Sequence, residues 1–187
     1  MASANPQGKG LVPLLEHWRA SQPSVIRART SREVLRDYLV TSLVISADFH
    51  FKPRPGVSYF LYLSNGHWQL SLVSPQEWRN RAPGPCLGRC VLQRDMTWQL
   101  MLAEDIGSDR ELVEGLSAFQ RAFLEWLDQD GTLEDHLPSY ARSLPYYRRL
   151  LASGMASSLK HSMERSGLNL RQSREWLSAG DVPALVG

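Results

Sequence analysis

Two cysteines stand four positions apart, Cys86 and Cys90, and two histidines, His50 and His67, lie upstream of them. Thiols and imidazoles can ligate zinc or act as a nucleophile with its base. Zinc sites use tighter, paired spacings such as C-x2-C with a second half, and Cys86-x-x-x-Cys90 has no second half. A thiol nucleophile needs a base within hydrogen-bond reach and a third group that orients the base. Cys86, which follows Pro83-Gly84-Pro85, is the better thiol, with His67 or His50 as base. If the segment is a strand, both cysteines share one face, where small thiols are common core residues. Glu77, Asp95 and Glu104-Asp105 are the carboxylates available for a pair. Glu77 already has a capping task, and Asp95 sits where a turn wants it. No G-x-S-x-G, P-loop or H-E-x-x-H pattern is present. These residues argue against catalysis and ask for no cofactor and no metal. A small thiol-dependent enzyme using Cys86, with His67 and Glu77, is the alternative.

The element that must position these groups is a hairpin. Val57 to Val73 alternates apolar and polar residues on both sides of Asn65-Gly66. Asn and Gly tolerate the positive φ that a type I′ turn needs at its two central positions. That turn sets Ser64 opposite His67, Leu63 opposite Trp68, Tyr62 opposite Gln69, Leu61 opposite Leu70, Phe60 opposite Ser71 and Tyr59 opposite Leu72. Val57, Tyr59, Leu61, Leu63, Trp68, Leu70 and Leu72 then form a core face. The other face carries Ser58, Phe60, Tyr62, Ser64, His67, Gln69, Ser71 and Val73. Phe60 and Tyr62, with His67, Gln69 and the nearby Trp78, make the candidate binding surface, since exposed aromatics anchor partners. The packing argument favours cover of this face by the C-terminal helices, which need a surface to bury against.

Further along, Ser74-Pro75-Gln76-Glu77 reads as a capping box with a short helical turn carrying Trp78. Leu87 to Leu92 offers a third strand and Asp95 to Leu100 a continuation or a fourth. Pro55-Gly56, Tyr59, Leu61-Tyr62, Gly66, Ser71, Ser74-Pro75, Glu77-Trp78, Leu87-Gly88, Leu92-Gln93, Asp95 and Thr97-Trp98 form a long ordered motif set. In these residues the chain resembles an uncharacterised family spread over bacteria and animals, a domain of unknown function. The resemblance covers roughly 47–106 and implies a small α+β domain, with no catalytic or binding residue to carry over.

The remainder reads as helical. Leu11 to Ala20 is a short helix. Thr30-Ser31-Arg32-Glu33 is a capping box that opens a helix to about Ser46, and Ser108-Asp109-Arg110-Glu111 is another that opens the longest. Ser139 to Ala152 follows, kinked or divided by Pro145, then Met155 to Glu164 and Leu170 to Ala179. The expected architecture is α+β: a three- to four-stranded antiparallel β-meander packed with an N-terminal helix and a helical C-terminal half. Residues 1–10 make a flexible start, 11–106 the core domain, and 107–187 a helical region packed on it.

The chain has 187 residues and a formal net charge of +2, too little to argue for a nucleic-acid or membrane partner. No apolar run approaches the ~20 residues that span a bilayer. The first ten residues lack the apolar stretch of a signal peptide, and two cysteines cannot build a disulfide framework. These features point to the cytoplasm. Charge is segregated, however. Glu104 to His136 holds ten acidic residues and two arginines, a net of −8, and Pro138 to Trp176 holds seven basic and two acidic, a net of +5. Neighbouring helices that attract account for this, with an acidic partner for the basic helices as the alternative. The leading function is a non-catalytic interaction or scaffold module with a protein partner, and nucleic-acid binding through the basic C-terminal helices is a further alternative.

Overall fold

A computed structural model describes residues 17–78, 81–138 and 143–178. Asn65 and Gly66 adopt φ of +50° and +77°, the left-handed pair that matches the twist of two antiparallel strands. They join β1 (Ser58–Ser64) to β2 (His67–Ser71). The register runs from Ser64↔His67 to Phe60↔Ser71, as the turn predicts. Tyr59, Leu61, Leu63 and Leu70 are buried, and Trp68 is half-buried. Val57 and Leu72, assigned to the same face, are exposed instead, because the pairing ends at Ser71 before either reaches the core.

Two more strands, β3 (Cys86–Leu92) and β4 (Trp98–Leu102), complete an antiparallel sheet of order β2-β1-β3-β4. The expected meander is modified at one step: β3 returns to pair with β1 rather than with β2. The outer edge of β2 is taken by Asp48, whose N–H donates to Trp68 O at 2.8 Å and whose carbonyl accepts from Leu70 N at 3.0 Å. Gly84 makes the return fit. A Cβ there would sit 1.9 Å from the carbonyl oxygen of Leu63.

Helix α1 (Ser31–Ser46) opens with the predicted capping box. Glu33 N–H donates to Thr30 Oγ1 and Thr30 N–H to Glu33 Oε2. It ends at Ser46, where Arg148 donates to the carbonyls of Ser46 and Ala47 at 3.2 and 3.0 Å. A cation at a helix C-terminus complements the dipole. Val34, Leu35, Leu39, Leu43 and Val44 are buried. Thr41 Oγ1 accepts the N–H of Trp98 at 2.9 Å, locking α1 to β4.

A 3₁₀ turn (Ile106–Ser108) leads into α2 (Arg110–Leu127). Its cap is Asp109, which accepts from Leu112 N at 3.1 Å, and not Ser108. Ser108 belongs to the 3₁₀ turn and its hydroxyl donates to Asp105 O. Gly115 lets α2 approach Leu63 and Trp68. The short α3 (Leu133–His136) carries a Thr132–Asp135 capping box.

Where the sequence predicts one helix to Ala152 and a second from Met155, there is a single continuous helix, α4 (Tyr146–Ser166). Pro145 is its N-cap, so the ring precedes the first turn instead of interrupting it. Gly167, with φ of +69°, closes α4. Helix α5 (Ser173–Ser178) starts three residues after the predicted Leu170. Residues 1–16, 139–142 and 179, also assigned from the sequence, lie outside the described residues. α4 packs on α1, and its Ser162 donates to Arg27 O at 2.6 Å while Ser166 Oγ accepts from Arg29 N at 2.9 Å. The result is an α+β architecture, one four-stranded sheet with helices on its Leu61 and Leu63 face. No helix among the described residues is long and apolar enough to cross a membrane.

Candidate functional site

The outward face of the sheet is built by alternation. Along β1 it receives Ser58, Phe60 and Tyr62, and the register brings Arg89 and Val91 of β3 beside them, then Met101 and Gln99 of β4. Phe60, Val91 and Met101 are half-buried and Arg89 and Gln99 are exposed. The Arg89 guanidinium lies across the face, 3.0 Å from Met101 Sδ and 3.5 Å from Ser58 Oγ. These residues form a mixed apolar and cationic patch.

The sequence-derived binding surface is divided by the structure. Phe60 belongs to the open patch. Tyr62 is buried, and what covers it is the segment after β2, not the C-terminal helices α4 and α5, which pack on α1 and α2. Its hydroxyl donates to Val73 O at 2.9 Å, and Trp78 packs edge-on against its ring at 6.2 Å. Burial, with Cys86 beside it, pushes the phenol up to about 12. Gln69 is half-buried on β2, and His67 is exposed beside the turn.

The cysteines also separate. A bulge in β3 shifts the register between Leu61↔Gly88 and Tyr62↔Cys86. Cys90, opposite Tyr59, therefore enters the core, whereas Cys86, opposite Tyr62, faces outward and is half-buried. The shared face expected from four-residue spacing is lost because the bulge adds one residue to the alternation. Burial raises the Cys86 thiol above its ordinary value, with hydrogen bonding from the Gly88 backbone and the Tyr62 hydroxyl opposing the rise. No hydrogen bond links Cys86 to His50 or His67 among the described residues, and no group of three or more metal-ligating side chains forms there.

Sequence reasoning missed a buried ion cluster. Arg29 Nε donates to Asp37 Oδ2 at 2.7 Å, and its Nη2 pairs with Asp95. Asp95 Oδ1 accepts from Thr97 N and Oγ1 at 3.1 and 2.7 Å. Burial raises the Asp37 carboxyl, with Asp95 adding to the rise and Arg29 opposing it. The turn signal at Asp95 was visible, but nothing local marks Arg29, 66 residues away. Glu77 is occupied in its own cap, its Oε2 accepting from Ser74 N at 2.8 Å. Glu77 and Asp95 are thus held by different partners.

A cavity of about 600 Å³ lies between the 18–26 segment and α4, lined by Trp18, Ile26, Leu137, Leu150, Lys160 and His161 among others. Its charges are matched internally. Lys160 meets Glu134 at 2.5 Å, and Asp135 is held by the Thr132 cap.

A family model described as "Protein of unknown function (DUF2452)" matches residues 21–119, more than half of the chain. The chain belongs to that family. The match takes in α1, the whole sheet and the first part of α2, wider on both sides than the 47–106 stretch that carries the motifs. The outward patch, the Tyr62–Trp78 cover and the Arg29 cluster all fall inside it, whereas α3, α4 and α5 lie beyond it. No solved structure matches the chain.

Proposed function

We propose that the protein is a non-catalytic interaction module whose outward sheet face, centred on Phe60, Arg89, Val91 and Met101, docks a protein partner. The carrying observation is that, among the described residues, the helices pack on one face of the sheet, and an aromatic, a methionine and an arginine stand together on the other. Those three residue types are enriched where proteins meet, and a polar surround of Ser58, Gln69 and Gln99 suits an interface rim.

Two other functions have less support. A raised Cys86 thiol is a weaker nucleophile at neutral pH, the reverse of what a thiol enzyme arranges. The basic side chains of the C-terminal helices face their own chain: Arg148 meets Asp48 and the end of α1, Lys160 meets Glu134, and Arg174 meets Asp128 and Asp130. That favours attraction between neighbouring elements over a nucleic-acid surface.

A photoreactive phenylalanine analogue at position 60 tests the proposal. It should cross-link a protein partner, and the same analogue at Arg32, exposed on α1, should not. Met101→Asp should release the partner while leaving the thermal unfolding transition in place. Equal labelling from positions 60 and 32, or a partner indifferent to Met101→Asp, would overturn the assignment.

A further inference from the structure

We infer that the free edge of β4, with the cleft between it and α1, binds an extended acidic peptide segment of a partner protein by strand addition. The inference does not rest on the outward patch.

The two edges of the sheet differ. Asp48 occupies the edge of β2 with two backbone hydrogen bonds. On β4 the bonds Gln93 N–H to Thr97 O and Ala103 N–H to Leu87 O set the alternation with β3. The polar backbone groups of Trp98, Leu100 and Leu102 therefore point away from β3. Thr41 takes the N–H of Trp98. Among the described residues, the N–H groups of Leu100 and Leu102 have no partner. β4 also carries no charge, proline or bulge, the usual devices that blunt an exposed edge.

Beside this edge lies a cleft of about 320 Å³, reached by Val40 and Arg36 of α1, Trp98 and Leu100 of β4, and Arg29. An edge strand flanked by a helix is a recurrent way to hold an extended peptide, with backbone bonds supplying affinity and side-chain pockets supplying specificity.

The sign of the peptide follows from the cations. Arg27 is matched by Glu33 at 2.9 Å, and Arg29 by Asp37 and Asp95. Arg36 is exposed and has no counter-ion among the described residues. Arg29, its side chain 1 % exposed, keeps Nη1 buried with no acceptor. A buried unmet donor is expensive, so an acceptor delivered there is favoured. Side chains of an added strand alternate, so every second one turns toward α1 and its neighbours toward Met101.

The probe is a short blocked peptide alternating glutamate with valine, titrated into the full chain and read by amide hydrogen exchange. Saturable binding that slows exchange at Leu100 and Leu102 is expected. Binding should weaken about tenfold when lysine replaces glutamate in the peptide, and by a similar factor in Arg36→Glu, an exposed position whose change leaves the core intact. Equal affinity for the lysine peptide, competition by free glutamate at the same concentration, or binding without protection at Leu100 and Leu102 would overturn the inference. So would protection of that edge without peptide that grows with protein concentration, which would mean a second copy fills it. Arg36→Glu separates the two surfaces, since it stands on α1 and not on the sheet face that carries Phe60 and Arg89.

Discussion

Cys86 and Cys90 lie on opposite faces of one strand: Cys86 stands beside Tyr62 on the outward side, and Cys90 stands beside Tyr59 in the core. The bulge at Leu87 and Gly88 produces this, and it gives the two thiols different accessibilities. Burial raises both thiols, Cys90 further than Cys86. At neutral pH Cys86 should alkylate more slowly than a free peptide thiol, and Cys90 only after global unfolding. Mass spectrometry with iodoacetamide checks this. A Cys86 that reacts faster than the peptide thiol would revive a thiol enzyme.

Gly88 is where the bulged strand meets β4. A Cβ there would stand 2.2 Å from Met101 O and 2.9 Å from Leu102 Cα, both backbone atoms with nowhere to retreat. Gly88→Ala should destabilise the fold by ~1–3 kcal/mol, as overpacking does. Urea unfolding of this variant beside Gly107→Ala, where a Cβ meets nothing within 4 Å, measures it. A matched loss in both would show that no clash is involved.

The Arg29 cluster predicts a pH-dependent defect. Arg29→Met leaves Asp37 and Asp95 facing each other without their cation, a loss of ~3–5 kcal/mol at neutral pH. Arg29 opposes the rise of the Asp37 carboxyl, so without the guanidinium that carboxyl rises further. A raised value contributes stability that is present below the ordinary pKa and is lost as pH rises through the folded one. The gap between variant and wild type should therefore narrow from pH 7 toward pH 4. Denaturation curves at both values decide it, and a constant gap would mean that packing alone is responsible.

Glu33 titrates in the other direction. Its hydrogen bond to Arg27, followed by that from Thr30, lowers the carboxyl from 4.5 to about 2. A lowered value contributes stability that is full above 4.5 and disappears as pH falls toward about 2. Glu33→Gln should flatten the stability profile across that window while costing little of the helix, since the amide can still accept from Thr30. A profile as steep as wild type would assign the acid sensitivity elsewhere.

Features governed by neighbours in the chain were legible in the residues. Asn65-Gly66 dictates a turn, and the turn dictates which side chains of β1 and β2 share a face, because alternation is a property of the backbone. Thr30 and Glu33 cap α1 from three residues apart, and Ser74 and Glu77 pair at the same spacing around a turn that does not go on into a helix. Phe60 could be placed on the outward face for the same reason. Features that depend on distant chain meeting were not legible. The return of β3 to β1 follows from Asp48 closing the far edge of the hairpin. The bulge that separates Cys86 from Cys90 follows from fitting Gly88 under Met101. The cover over Tyr62 comes from Val73 and Trp78, and the pairing of Arg29 with Asp95 spans 66 residues. Each of these is settled by which surfaces are left to bury or satisfy once the sheet has formed, and no local spacing encodes that.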